Sequence, residues 1–289
     1  VSREDPPPEP DPLETPTVDA HTHLDACGAR TPEGLRAALD RAERAGIGRV
    51  VTVADDLDSA RWVVEASTWD ERVAGAVALH PTRTAEFSDA DRAEIARLAA
   101  HERVVAVGET GLDYYWDYSP PRAQAEAFRW HIDLAKRLGK PLMIHDREAH
   151  EDILATLESE GAPETVVFHC FSGDADVARR CVDAGYVLSF AGTVTFRNAR
   201  ALHEAARLVP DDQMLVETDA PFLTPHPFRG RPNEPYCAAY TVRGLAELRN
   251  RPVAEVAAAT RRNAERVFRW EAGGPDRAGS SAGGAERVW

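Results

Sequence analysis

The sequence predicts an α/β fold in which eight parallel strands alternate with helices and close as a (β/α)8 barrel. Three observations predict it. Eight short apolar runs recur along the chain, each is followed by an amphipathic stretch, and side chains of metal-ligating type stand at the far ends of several runs.

The runs are 17–20 (TVDA), 49–54 (RVVTVA), 73–79 (VAGAVAL), 103–108 (RVVAVG), 141–144 (PLMI), 165–169 (TVVFH), 186–190 (YVLSF) and 214–218 (MLVET). They are rich in β-branched residues and do not alternate with polar ones, as expected of parallel strands buried on both faces. Between them lie helical stretches. Thr31-Pro32-Glu33 starts one of these with a cap residue and a proline at the first helical position. Gly46, Gly139 and Gly185 stand where helices stop, each shortly before the next strand. This alternation fits a closed barrel or an open doubly wound sheet. No G-x-G-x-x-G follows the first run, which weakens the dinucleotide-binding version of the open sheet. No internal repeat is evident.

The chain has 289 residues, and one α/β barrel commonly takes about 250. We expect a single barrel domain over 17–270. Residues 1–16, rich in proline and acid, are expected to be a disordered arm, and 271–289, rich in Gly, Ala and Ser, a flexible tail. No apolar run approaches the roughly 20 residues that span a bilayer, and the N-terminal segment lacks the pattern of a secretory signal. A soluble cytoplasmic protein with no membrane partner is the expectation. The four cysteines, Cys27, Cys170, Cys181 and Cys237, are scattered and read as free thiols. The net charge of −14 excludes a broad basic face for gripping duplex. It does not exclude phosphate chemistry, because bound divalent cations reverse the local charge of an acidic site.

The side chains at the strand ends carry the functional argument. His21 and His23 follow the first run, and residues two apart on extended chain face the same side. An H-x-H pair alone is a weak signal, with two exposed histidines as the bland alternative. However, Glu109 ends the fourth run, His145 the fifth, His169 the sixth and Asp219 the eighth. A barrel gathers its active site at this edge. Four imidazoles and two carboxylates suit Zn, Mn, Fe or Ni better than Ca. Six protein ligands exceed what one catalytic ion uses when a water position stays open, so two divalent ions are expected. His21, His23 and Asp219 are assigned to one, and His145 and His169 to the other, with Glu109 bridging. The two lysines, Lys136 and Lys140, stand away from the strand ends, so a carbamylated lysine is not the bridge.

The chain also resembles the TatD family of metal-dependent deoxyribonucleases. The resemblance is carried in order by VDAHTHLD (18–25), LHP (79–81), GETGLDYY (108–115), PLMIHDREA (141–149), FHCFSG (168–173), ETDAPFLTP (217–225) and RGRPNEP (229–235). It covers the chain from about residue 18 to about residue 270. It implies a TIM barrel that cuts phosphodiester bonds of DNA with divalent metals (Zn, Mg, Mn or Ni), often from a strand end. It carries metal-ligand roles onto the same six residues, His21, His23, Glu109, His145, His169 and Asp219. Asp146 departs from the family pattern, in which a small polar residue commonly follows the histidine.

Asp219 is the candidate general base, because a carboxylate beside a nucleophilic water can take its proton. Arg147 is a candidate for phosphate oxygens, against the alternative of a rim salt bridge. Arg229, Arg231 and Asn233 lie in the long segment after the eighth strand and are candidate substrate contacts. Glu217 faces the same way as Asp219 and is expected to support the ligands. His80 either lines the pocket or is a turn residue before Pro81, and His131 and His203 read as packing or surface groups. His101, His150 and His226 have no partner legible from spacing. Cys170 is expected to point away from the ligands, opposite His169. Tyr114, Tyr115, Trp116 and Tyr118 could stack bases or simply pack on the barrel. Two activities compete for such a site. One is hydrolysis of DNA at single strands or ends; the other is hydrolysis of a carboxyl ester or amide, as by an aminoacyl-tRNA deacylase.

Overall fold

The computed structural model describes residues 5–270. Eight parallel strands form one sheet in the order of the chain. They are β1 (Thr17–Thr22), β2 (Ile47–Val53), β3 (Val73–Ala76), β4 (Val104–Asp113), β5 (Leu142–Arg147), β6 (Val166–Phe168), β7 (Val187–Phe190) and β8 (Met214–Val216). Helices follow each strand: α1 (Pro32–Arg44), α2 (Leu57–Ala66), α3 (Asp89–Ala99), α4 (Pro121–Leu138), α5 (His150–Glu160), α6 (Ala175–Asp183), α7 (Arg200–Leu208) and α8 (Ala238–Arg249), with a final α9 (Val253–Val267). The expected (β/α)8 TIM barrel is therefore present. Thr31 caps α1, accepting a hydrogen bond from the Gly34 amide. No helix among the described residues is long and apolar enough to cross a membrane.

The two faces of the strands bury different sets of residues. One residue set of alternating parity, including Val18, Ala20, Val51, Val53, Met143, Val167 and Leu215, fills the barrel interior together with Ala264 and Val267 of α9 and Phe268 just after it. The opposite set packs beneath the surrounding helices. Helix α9 plugs the N-terminal end. Thr260 bonds Thr17 at the start of β1 (Oγ1···Oγ1 2.7 Å), and Asn263 donates to the Met214 carbonyl at the start of β8. The interior is thus filled from below.

Where β1 meets β8, buried Asp19 joins them. Its carboxylate accepts from the Thr218 amide (2.9 Å) and hydroxyl (2.6 Å). The Asp219 amide donates to the His21 carbonyl, and the His23 amide to the Ala220 carbonyl. Two candidate ligands are therefore tied by backbone bonds to the segment carrying a third.

Strand β4 runs beyond the expected end to Asp113, so Glu109 lies inside it. Its register explains how an interior residue faces the mouth. Val107 pairs with Leu142, but Thr110 pairs with Ile144, which leaves one extra residue on β4 around Glu109. Strand β1 has the same defect. Asp19 pairs with Val50 but Thr22 with Thr52, an extra residue at Ala20–His21. Bulges re-aim side chains, and here both fall on candidate ligands. Gly111 lets β4 press on β5. Its φ is +146°, and a Cβ there would lie 2.0 Å from the His145 carbonyl oxygen. Two residues before Glu109's neighbour Thr110, Gly108 is equally confined, with a Cβ position 2.5 Å from that of Met143.

The N-terminal arm departs from expectation. Residues 5–16 contain no helix or strand up to Pro16, yet they are held against the barrel. Arg231 donates to the carbonyls of Asp5 and Pro6, Tyr236 to Pro7, Tyr240 to Pro8, and Arg243 to Asp11. Glu9 pairs with Arg44, and Leu13 is buried. Extended proline-rich chain leaves its carbonyls unpaired, and these side-chain donors satisfy them. Residues 1–4 and the expected tail 271–289 lie outside the described residues.

Candidate metal centre

The six ligand candidates converge at the C-terminal mouth. Glu109 is central and buried. Its Oε2 lies 2.8 Å from His21 Nε2, 3.4 Å from His169 Nε2 and 4.0 Å from His23 Nε2. Its Oε1 lies 3.2 Å from His145 Nδ1 and 3.0 Å from His80 Nε2. Asp219 Oδ1 approaches His23 Nε2 (3.4 Å) and His21 Nε2 (3.6 Å).

The far nitrogen of each imidazole fixes which nitrogen faces the centre. His23 Nδ1 meets the Val53 carbonyl (3.1 Å), His145 Nε2 meets Asp113 Oδ2 (2.9 Å), and His169 Nδ1 meets Glu217 Oε1 (3.2 Å). These acceptors hold a proton on the outer nitrogen and leave the inner lone pair free for a cation. His21 Nδ1 faces only the weak acceptor Met143 Sδ at 3.1 Å. Inside, nitrogen meets nitrogen, with His21 and His23 Nε2 3.2 Å apart and His80 Nε2 3.3 Å from His145 Nδ1. Glu109 Oε2 has no aligned hydrogen bond despite its burial. Converging lone pairs without a donor between them are what a hard or borderline cation requires, so this donor set fits divalent metal.

The carboxylates and imidazoles also shift one another's protonation. Burial drives Glu109 upward, but the surrounding imidazoles outweigh it and hold the carboxyl well below its ordinary range. Burial likewise raises Asp219, and its contact with His23 together with the charges of His21 and His169 brings it down. Burial lowers His23 and His169, and the neighbouring carboxylates reverse the shift to about 10 and about 9. His21 stays lowered, because burial and the His169 charge prevail there.

Ligand atoms of His21, His23 and Asp219 form one compact group, as assigned from the sequence. The other half differs in detail. His145 shares Glu109 Oε1 with His80, while His169 sits on the Oε2 side, its ring stacked on His21 at 3.9 Å. His80 is therefore more than a turn residue. Asp55, after β2, is a residue that sequence reasoning passed over. It groups with His23 and Glu109, and burial raises its pKa. Its position just past a strand end was the available signal, the same one that picked out the others.

The mouth opens into a cavity of about 960 Å³. Arg147 lines it. Arg229, Arg231 and Asn233 are not among the described residues that line it. Arg229 lies over the Phe196 ring (4.5 Å), and Arg231 holds the N-terminal arm. Asn233 is buried, donating to the carbonyls of Thr218 and Phe222. It braces the segment that carries Asp219. Cys170 does line the cavity, contrary to the alternation argument. Strand β6 ends at Phe168, and Cys170 takes a φ of +44°, so strand alternation no longer applies. Its amide donates to Glu217 Oε1 (2.8 Å), which makes Glu217 the support for His169 that its position suggested. His150 has a partner in Asp146 (Nδ1–Oδ2 2.6 Å).

Comparison with known proteins gives the family of the chain. A family model described as TatD related DNase matches residues 18–269. An "uncharacterized metal-dependent hydrolase TatD" of Mycobacterium tuberculosis is 62% identical over 256 residues, which are 87% of this chain and 97% of that protein. An "uncharacterized metal-dependent hydrolase YabD" of Bacillus subtilis is 42% identical over 87% of this chain and 98% of its own length. The crystal structure of YJJV, a TatD homolog from Escherichia coli, superposes with a TM-score of 0.81 at 31% identity, covering 88% of this chain and 98% of that one.

Proposed function

The chain belongs to the TatD related DNase family, and from that premise we propose that it is a divalent-metal-dependent hydrolase cleaving phosphodiester bonds of DNA, at single strands or ends. The observation that carries this reading is Glu109, a buried carboxylate whose two oxygens each face imidazole nitrogens from different strands, with one oxygen lacking any aligned donor. His21, His23 and Asp219 would hold one ion. His145 and His169 would hold a second, with Glu109 between the two and His80 beside it.

Bound divalent ions supply Lewis acidity toward a phosphoryl oxygen and lower the pKa of water. The chain's own residues supply the rest. Asp219 reaches the cavity, where its carboxylate can accept a proton from the attacking water. Arg147, exposed at the cavity wall, offers paired N–H groups to phosphate oxygens. Asp113 and Glu217 fix the rings of His145 and His169. Together with Arg147, Arg83 and Arg200 give the cavity cationic groups within a chain of net charge −14.

Two measurements test the proposal. Metal-loaded protein is incubated with labelled single-stranded DNA, duplex DNA, RNA and a simple carboxyl ester. DNA cleavage that stops on chelation is expected. Cleavage of the ester alone would move the site to acyl chemistry of the aminoacyl-tRNA deacylase kind. Glu109→Ala should lose bound metal and hydrolysis while its circular dichroism stays that of the wild type. Full activity in that variant removes the two-ion scheme.

A further inference from the structure

The large hydrophobic side chains that the described residues leave exposed are Tyr114, Tyr115, Trp116, Tyr118 and Phe222. All five come from segments following β4 and β8, at the barrel mouth. Exposed aromatic surface concentrated at one place marks a binding surface. Three of the five, Trp116, Tyr118 and Phe222, line the same cavity as the ligand cluster.

The aromatics after β4 are ordered among themselves. The Arg147 guanidinium lies over the Tyr115 ring at 4.2 Å. Tyr115 meets Trp116 edge to face (4.8 Å, 90°), and Trp116 stacks on Tyr118 (5.5 Å, 13°). Tyr114 is different, its hydroxyl tied to Asp152 on α5 at 2.5 Å. One carboxylate registers this row to the metal centre. Asp113 Oδ1 accepts from the amides of Tyr115 (3.0 Å) and Trp116 (2.9 Å), while its Oδ2 holds His145 Nε2. The backbone that carries Tyr115 and Trp116 is thus anchored to the same carboxylate that holds His145.

From this arrangement we propose that Trp116 and Tyr118 form a stacking platform for an unpaired nucleobase adjoining the cleaved phosphodiester. This rests on the phosphodiesterase reading above and names the part of the substrate that the mouth selects. Every nucleobase presents a π face, and such stacking tolerates any sequence. A base within a duplex is already stacked on its neighbours, so the platform favours single strands and frayed ends. Arg147 serves the adjoining phosphate while its own face rests on Tyr115. The apolar rings also suit an acidic chain, since stacking needs no basic groove.

The test uses metal-loaded full-length chain and a labelled deoxyoligonucleotide with phosphorothioate linkages, which slow cleavage. Its partner strand has the same backbone with abasic sites in place of bases. Binding is read by fluorescence anisotropy. We expect the wild type to bind the natural strand at least tenfold more tightly than the abasic one. Trp116→Ala and Tyr118→Ala should each lose about tenfold on the natural strand and nothing on the abasic strand. Trp116→Phe should restore most of the loss. On cleavable DNA the alanine variants should raise KM and leave kcat within about twofold. Equal wild-type binding of both strands overturns the platform, as does an equal loss on both strands in the variants. A wild type that cuts no DNA yet still binds in a base-dependent way overturns the phosphodiesterase reading and leaves the platform standing.

Discussion

At the scale of single residues, the candidate centre depends on the groups behind the proposed ligands as much as on those side chains themselves. Glu217 shows why. It is buried, accepts from His169 Nδ1 and also caps the Cys170 amide. Its charge keeps a proton on the outer nitrogen and the lone pair inward. Replacing such a partner typically costs 10- to 100-fold in metal affinity. Glu217→Gln keeps the size and removes the charge, so metal affinity should fall by about tenfold with the melting temperature little changed. Titration against a competing chelator measures this. Wild-type affinity in the variant would mean that His169 is oriented by packing alone.

At the scale of elements, β4 is the most constrained strand. It carries Glu109 on a bulge and Asp113 at its end, and it presses on β5 where His145 stands. The contact works because Gly111 has no side chain. Gly111→Ala combines a positive φ with a Cβ that would overlap the His145 carbonyl. Strand and ligand would both have to move. We expect destabilisation of more than about 4 kcal/mol, the range of the most severe single substitutions. That corresponds to a melting temperature lower by about 10 °C in a domain of this size, with weaker metal binding. Thermal unfolding checks the first effect and metal analysis the second; an unchanged melting curve would refute the close-approach account. The bulge also explains why the fourth strand was expected to end early. Its apolar pattern breaks at Glu109, while its backbone pairing continues to Asp113.

At the scale of the whole molecule, stability should depend on pH through a histidine that the site does not use. His131 on α4 is fully buried. Its Nε2 accepts from the Leu79 amide, and its Nδ1 lies 2.7 Å from the Ala127 carbonyl. The neutral tautomer satisfies both contacts, and a second proton would set N–H against N–H. Burial lowers its pKa to about 4 from an ordinary value of 6.5. Between these values the unfolded chain binds a proton that the native chain refuses. This contribution to stability is therefore intact above pH 6.5 and is lost progressively as pH falls toward 4, on the order of 3 kcal/mol in total. His131→Gln should lower stability at neutral pH and flatten the decline over this window. Melting temperatures at a series of pH values test it, and parallel curves for variant and wild type would exclude His131 as the source.

The sequence alone determined the periodic elements, the eight-stranded α/β barrel and the set of six metal-type side chains, because these follow from apolar periodicity, turn chemistry and the position of polar residues at strand ends. Local pattern was sufficient to bring His21, His23, His145, His169 and Asp219 forward as candidates. What only the tertiary structure decided concerns contacts between distant segments. His80 and Asp55 join the centre because β2 and β3 lie beside β1 and β4. Arg231 turns to the N-terminal arm, because the backbone carbonyls of Asp5 and Pro6 come within its reach. Asn233 becomes a brace, because the carbonyls of Thr218 and Phe222 surround it. Hydrogen-bond partners that lie 11 to 226 positions apart leave no periodic trace along a chain, so side chains of one chemical type can be recognised in sequence while their partners are fixed only by the fold.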